Sequence, residues 1–409
     1  MYTKLFSSIN SRFKNSKIYN LTAFAELKRE RNEKNNVQEN NFHIQEALEW
    51  IKRAQDATPD HGVSRGYSVA WNAHFQSKGW QSSYPETTGY IIPTLIDCGK
   101  YFNKDELIDR AIKMAEWEID VQMKNGAVIG GVMNEGEPTP SVFCTGMVIF
   151  GLVHAFQETQ NVSFLKAAEN AADFLLKVQD KNGVFFENKN YDFCSKASNT
   201  YHTRVAWALI MLGKINNDEN CIKSGIKNIK YRLRFQEKNG WFKDNCLTDP
   251  DNPLVHTICY ALRGILEAGF LLNDDSYIDA VRLAADHILL EIDDDGYLGG
   301  RLNKNWKSAV EWSCLTGNAQ LAIILLKLYQ YTHQNEYLMS AHRLITFLKT
   351  TQNCTASDPG LRGGIKGAYP FDGTYGQYQV LNWATKFFID ALLLENKINN
   401  GNTSGAVNS

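Results

Sequence analysis

Several features are missing from this chain of 409 residues, and each absence removes a class of function. It has no strong charge of one sign: 43 basic against 45 acidic residues leave a formal net charge of −2, and no long basic run supplies a local positive field. Nucleic acid and anionic membrane are therefore not expected partners. The start, MYTKLFSSINSRFKNSKIYN, lacks the uninterrupted apolar stretch of a signal peptide, and no later window reads as long enough to span a bilayer. The expected location is cytoplasmic, with no transmembrane segment. Eight cysteines (98, 144, 194, 221, 246, 259, 314 and 354) show no CxxC spacing. They read as buried thiols in a reducing compartment rather than as disulfides or a zinc cluster.

What the chain does have is a repeat. The strings WEIDVQMKNGAV, FLLKVQDKNGVF, YRLRFQEKNGWF and HILLEIDDDGYL superimpose without gaps, and their glycines Gly126, Gly183, Gly240 and Gly296 are 57, 57 and 56 residues apart. WIKRAQDATPDHG, ending at Gly62, and FLKTTQNCTASDPG, ending at Gly360, supply a first and a last copy. Five residues before each glutamine position stands a ring: Trp50, Trp117, Phe174, Tyr231, His287 and Phe347. The pattern describes a helix ending one turn before a glycine that takes a left-handed conformation, with the Gln placed to hydrogen-bond that turn. A more apolar second helix follows each turn, as in CTGMVIFGLVHAF and HTICYALRGILEAG. Six such hairpins make an all-α (α/α)6 toroid over residues 41–398. Residues 1–40 read as an N-terminal appended segment and 399–409 as a flexible tail.

The Q-x-x-x-G-aromatic turn resembles the QW repeat of terpenoid cyclases and prenyltransferase-like proteins, and similar turns occur in six-hairpin glycosidases, uronate lyases and sugar epimerases. The segments SSYPETTGYIIPTLID, SCLTGNAQLAI and GGIKGAYPFDGTY resemble an uncharacterised bacterial family associated with surface-polysaccharide biosynthesis. These resemblances imply a toroid that processes a carbohydrate. Isoprenoid or cyclase-like chemistry is the alternative, and a non-catalytic glycan-binding ring a further one. The acidic run Asp293, Asp294 and Asp295 invites comparison with a cyclase acid motif, but the repeat places it in the solvent-facing turn, and it places His287 on an outer helix.

In such a ring the loops entering the inner helices converge on the axis, so residues at those helix starts are the candidates for chemistry. They are Glu86 and Thr87, Ser141 and Cys144, then Tyr201, His202 and Arg204. His256 and Tyr260, Glu311 and Trp312, and finally Tyr378, Asn382 and Trp383 follow. His202 and His256 occupy one place in consecutive repeats, each followed by Thr, so their imidazoles are expected to approach one another. From turn to helix start the middle loops run 16 to 19 residues, whereas the first runs 31 and the last 30. Ring closure makes these two long loops neighbours that wall a cleft. They carry Trp71, Trp80, Tyr84, Tyr369, Phe371, Asp372, Tyr375 and Tyr378, with Arg65, Lys78, Arg362 and Lys366. Rings for sugar faces and cations for carboxylates suit a charged oligo- or polysaccharide, with uronates the expected units.

Three chemistries divide these residues. A lyase or epimerase would use Tyr201, His202, Arg204 and His256 as acid, base and carboxylate neutraliser, needing no metal or cofactor. A glycosidase would pair Glu86 with Glu311, holding Asp372 in reserve. A zinc-dependent chemistry would draw on His256 and Cys259 with Cys314 or His202, although no local zinc spacing supports it.

Overall fold

A computed structural model describes residues 20–32, 37–186, 199–246 and 248–401. Most of the N-terminal segment up to residue 19, Cys194, and the tail beyond 401 lie outside the described residues. The remainder is a closed ring of six helical hairpins.

Helix α1 (Leu21–Asn32) precedes the ring. The outer helices are α2 (Asn40–Asp56), α4 (Asp105–Val121), α6 (Val162–Val178), α8 (Glu219–Leu233), α10 (Asp275–Leu289) and α12 (Asn335–Thr351). Their inner partners are α3 (Pro85–Phe102), α5 (Val142–Thr159), α7 (Thr203–Asn216), α9 (Val255–Leu272), α11 (Leu315–Thr332) and α13 (Asn382–Asn399). Each inner helix packs on the inner helices of both neighbouring repeats, and α13 returns to touch α3, which closes the circle. The inner helices are apolar on nearly all sides because they are covered on all sides. Residues 315–328 of α11 are all buried, including Asn318, Gln320 and Lys327. Helices α5 and α9 reach eighteen residues at a mean hydropathy of 1.3, long and apolar enough to cross a membrane, contrary to the expectation from sequence. Their apolar surface is instead taken up inside the ring, where 72% and 83% of those residues are buried.

Two devices set the repeat. Between an inner helix and the next outer one the chain reverses through a single left-handed residue: Asn103, Gln160, Asn217, Asn273 or His333, with φ from 53° to 58°. Asn adopts this conformation at low cost, and Asn161, Asp218 and Asp274 then cap the outer helix that begins there. At the other end, the predicted Gln does more than bond its own turn. Gln122 Nε2 donates to Gly126 O at 2.9 Å and also to Ala167 O of the next outer helix at 2.9 Å. Gln179 reaches Gly183 and Ser224, Gln236 reaches Gly240 and Ala280, and Gln55 reaches His61 and Arg110 in the same way. One amide thus ties each of these turns to the following repeat, whereas the fifth turn carries Ile292 in that place. Gln352 closes the ring on the first repeat, donating to Gly363 O at 2.6 Å and His43 O at 3.2 Å.

In the first turn His61 takes the left-handed conformation, at φ 69°, but glycine is required at the middle turns for two reasons. Gly126 has φ 89°, and a Cβ there would stand 2.0 Å from Asn170 O of the adjoining outer helix. The last copy departs from the sequence reading: Gly363, with φ 83° and packed on Glu46 O, holds this position, not Gly360. Extra residues after Gln352 push the turn downstream, and Gly360 instead offers its carbonyl to Trp50 Nε1 at 2.7 Å. The Asp293–Asp295 run is exposed, as the repeat predicted. His287 is half-buried, its Nδ1 2.9 Å from Leu283 O of its own helix.

The two long loops meet. Strand β1 (Gly66–Asn72) of the first pairs with β2 (Ser77–Trp80) and, antiparallel, with β7 (Gln379–Leu381) of the last, aligning Tyr67 with Val380. Two-residue strands β3 (Val128–Ile129) with β4 (Pro140–Ser141), and β5 (Ser313–Cys314) with β6 (Ala368–Tyr369), line other loop entrances. Helix α1 docks against the last loop: Lys366, 1% exposed, binds Glu26 at 2.6 Å and Glu30, and Phe371 N–H donates to Glu30.

Candidate active site

The mouth of the ring lies where helix-start residues meet the seam between the first and last repeats. Glu86, in the first turn of α3, is half-buried. The Tyr84 hydroxyl donates to its Oε2, and Cys144 Sγ lies 3.6 Å from the same oxygen. Tyr84 faces Trp383 edge-on, with ring centroids 6.5 Å apart. Trp383 Nε1 donates to the Tyr375 hydroxyl at 2.8 Å, and the Tyr375 ring approaches His256 at 5.7 Å. Arg65 is fixed by Gln81 and Gln379, both at 2.9 Å, with its guanidinium 4.6 Å from the Phe75 ring and 4.7 Å from Trp383. The result is a continuous wall of one carboxylate, one imidazole, one guanidinium and several rings.

Beneath this wall lies an aromatic floor. Tyr90, Tyr260 and Phe387 each stand four residues beyond a mouth residue on the same helix, after Glu86, His256 and Trp383 respectively, so one turn carries them one layer deeper. The Tyr260 hydroxyl is 3.4 Å from that of Tyr90, and both rings pack on Phe387. Burial pushes both phenols well above the usual tyrosine range, and the Glu86 charge adds to it. These floor residues were missed in the sequence except Tyr260, yet the i, i+4 spacing from each helix start would have found them.

His256 is 6% exposed and held by Gln320 Nε2, 2.6 Å from its Nδ1. Burial, with the Arg204 charge behind it, lowers its pKa to about 3, so the imidazole is neutral. The expected meeting with His202 does not occur. His202 packs against Tyr201, Phe185 and Phe143, whereas His256 faces Tyr260 and Tyr375. The reason is local. A 3₁₀ turn over Thr200–His202 makes His202 the residue before α7, while His256 is already the second residue of α9, so the matching positions project differently. Tyr201, 2% exposed, accepts from Asn199 Nδ2 at 2.8 Å and meets Phe143 edge-on. Arg204 lies below the floor, its Cζ 4.9 Å from the Tyr260 ring and 5.8 Å from that of Tyr90.

Other sequence candidates have structural duties. Glu311 is exposed beside Tyr297, whose ring packs on Phe347 of outer helix α12, so it does not pair with Glu86. Asp372 is exposed on the last loop. Trp80 packs between Trp50 and Tyr67, and Trp312 fills the space that Gly300 and Gly373 leave open. Asn382 is buried and clips Ser64 O and Thr87 Oγ1 at 3.0 and 2.8 Å. Lys366 is consumed by Glu26 and Glu30, Arg362 pairs with Glu46 on the outside, and Tyr369 and Tyr378 pack on Phe347 and Phe371. Trp71 is half-buried on β1. No group of three metal-capable side chains assembles among the described residues, and Cys259 Sγ lies 3.6 Å from Gly317 O.

No family model and no curated protein matches the chain. Solved structures do. An unsaturated glucuronyl hydrolase specific for heparin aligns over 88% of this chain and 98% of its own, at 15% identity and a TM-score of 0.68. Cellobiose 2-epimerase from Bacillus thermoamylovorans aligns over 87% and 100%, at 13% identity and a TM-score of 0.69. A D-mannose isomerase aligns over 88% and 97%, at 11% identity and a TM-score of 0.69. At these identities the likeness establishes the six-hairpin toroid and nothing finer.

Proposed function

We propose that this toroid is a carbohydrate-processing enzyme acting on an acidic sugar unit, with Glu86 as the proton-transferring carboxylate. The observation that carries the reading is the setting of Glu86. It is half-buried in the first turn of α3 and oriented by the Tyr84 hydroxyl; the Tyr84 ring faces Trp383, which in turn meets the Tyr375 hydroxyl and the Arg65 guanidinium. Rings of this kind stack on sugar faces, and a guanidinium matches a uronate carboxylate in a bidentate fashion. The solved neighbours named for glucuronyl units, cellobiose and mannose support sugars as the substrate class.

Proton abstraction suits the site better than hydrolysis. Two carboxyl groups facing each other across a glycosidic bond are the usual hydrolytic pair, and neither Glu311 nor Asp372 joins Glu86. In the proposed reaction Glu86 removes the proton α to the sugar carboxylate, and the electron pair moves into that carboxylate, held by Arg65. Water protonates the opposite face and the hydroxide left takes the proton from Glu86, which completes an epimerisation. Expulsion of the β-oxygen substituent, which takes the proton from Glu86 and leaves as its alcohol, completes an elimination.

Incubation with uronate oligosaccharides in D2O, read by NMR, tests this. Deuterium is expected at the α-carbon, with the rate falling ~100-fold or more in Glu86→Gln. An unsaturated product would identify elimination, and an inverted centre epimerisation. New reducing ends without deuterium or unsaturation would replace the proposal with hydrolysis, and binding without any product would make the ring a glycan-binding protein.

A further inference from the structure

Below the aromatic floor the axis opens again into a cavity of about 70 Å³, roofed by Tyr90, Phe150, Trp207 and Phe387 and reaching down to half-buried Asp97 and Lys397. Its body is lined by four cations, Arg204, Arg263, Lys327 and Lys386, with His154 among them and a fifth cation, Lys397, at the lower end. Two carboxylates answer them. Glu267 bridges Arg263 and Lys327, and Asp390 takes Lys386 together with Thr94 Oγ1 at 2.7 Å. At the lower end Asp97 and Lys397 offset each other. Among the described residues, these four positive charges face two negative ones in the body of the cavity.

The excess centres on Arg204. Its side chain is buried, the residue being 3% exposed, and Nε lies 3.1 Å from the Met147 sulfur. Its guanidinium lies between 4.9 and 5.8 Å from five aromatic ring centroids. It makes no hydrogen bond or salt bridge to a carboxylate among the described residues, and the Asp390 charge reaches it only from a longer distance. Rings stabilise a buried cation only partly, and the remaining cost of desolvation favours an anion at the guanidinium face. Burial lowers the pKa of Arg204, Lys327 and Lys386 alike.

We infer that this lower axial cavity is a binding site for a tetrahedral oxyanion, inorganic phosphate or the phosphoryl group of an organic phosphate. Arg204 grips it from above, with Lys327 and Lys386 at its sides. A planar guanidinium binds two phosphate oxygens at once, and the low-dielectric walls strengthen each contact. The volume admits such a group. The site stands apart from the mouth and does not depend on the reaction proposed there.

Equilibrium dialysis of the full chain against labelled inorganic phosphate, at fixed ionic strength, tests the inference. Saturable binding of one phosphate per chain is expected, competed by sulfate and weakened about tenfold or more in Arg204→Leu. Ile323→Trp, which fills the cavity without removing a charge, is expected to abolish binding, so the inference stays testable if Arg204→Leu does not fold. Stronger competition by a sugar phosphate than by sulfate would identify an organic phosphate as the occupant, and the reverse a free oxyanion. No saturable binding by the wild type, or unchanged affinity in a folded Ile323→Trp variant, would overturn it.

Discussion

Replacing Gln352 by alanine should be the most damaging of the changes at the repeated glutamines. Its amide is 1% exposed and fully used: two donated bonds, to Gly363 O and His43 O, and one accepted from His43 Nδ1 at 2.6 Å. His43 Nε2 in turn accepts from Gln38 N–H at 3.2 Å, which fixes the tautomer that donates to Gln352. Three buried hydrogen bonds at ~1 kcal/mol each, plus the penalty for stranded polar atoms, give a loss of about 3–5 kcal/mol. Gln236, half-buried and with two donated bonds of which one is a long 3.4 Å, should cost about 1–2 kcal/mol. Urea unfolding of Gln352→Ala and Gln236→Ala compares them, and hydrogen exchange at the β1–β7 amides should accelerate in the former alone. Equal losses, within about 0.5 kcal/mol, would refute the argument that ring closure hangs on Gln352.

Three further outcomes follow from buried charge. His256 is held at a pKa of about 3 against 6.5 when unfolded, so its contribution is fully present above 6.5 and is lost as pH falls toward 3. At up to ~5 kcal/mol this should make acid unfolding measurably shallower in His256→Gln, and an unchanged pH profile would contradict the assignment. Burial, aided by Asp60, raises the pKa of fully buried Glu118 well above 4.5, so its stabilising share is present below 4.5 and lost as pH rises. Glu118→Gln should therefore gain about 1–3 kcal/mol in thermal or urea unfolding at neutral pH, and a loss would count against it. Lys366→Met should leave Glu30 buried without its cation and Glu26 with Arg29 alone, costing about 3–5 kcal/mol. Although burial opposes it, Lys366 and Arg29 hold the Glu26 pKa at about 2. Faster tryptic cleavage at Arg29 or Arg31 would report the release of α1, and unaltered cleavage would refute the docking role.

The ring itself was legible because its signals are local and repeated. A Gln one turn before a glycine marks a helix end, and the spacing of Gly126, Gly183 and Gly240 counts the hairpins. The mouth was partly legible: Glu86, His256, Tyr375 and Trp383 are helix-start or seam residues, and they do converge. What failed depends on contacts distant in sequence or on a shift of one residue. Lys366 looked like a free cation until α1 supplied its two carboxylates. Trp80 and Trp312 looked like sugar platforms but close gaps in the loops that carry them. His202 and His256 shared a register that the 3₁₀ turn before α7 broke. Gly363 was hidden by extra residues that moved the last turn beyond its repeat.

The seam between the first and last repeats also orders the assembly of the molecule. The Arg65–Gln379 bond spans 314 positions, whereas neighbouring turns are 57 apart. By loop-closure entropy alone the longer span costs about 1.5 kcal/mol more to close. Repeats can stack progressively as the chain grows from its N-terminus, but β1 must wait for β7. Arg65, Tyr84 and Glu86 emerge early, and Tyr375 and Trp383 nearly last, so the mouth exists only once the final hairpin has been made. A partly synthesised or C-terminally truncated chain would carry most of the scaffold and none of the finished site.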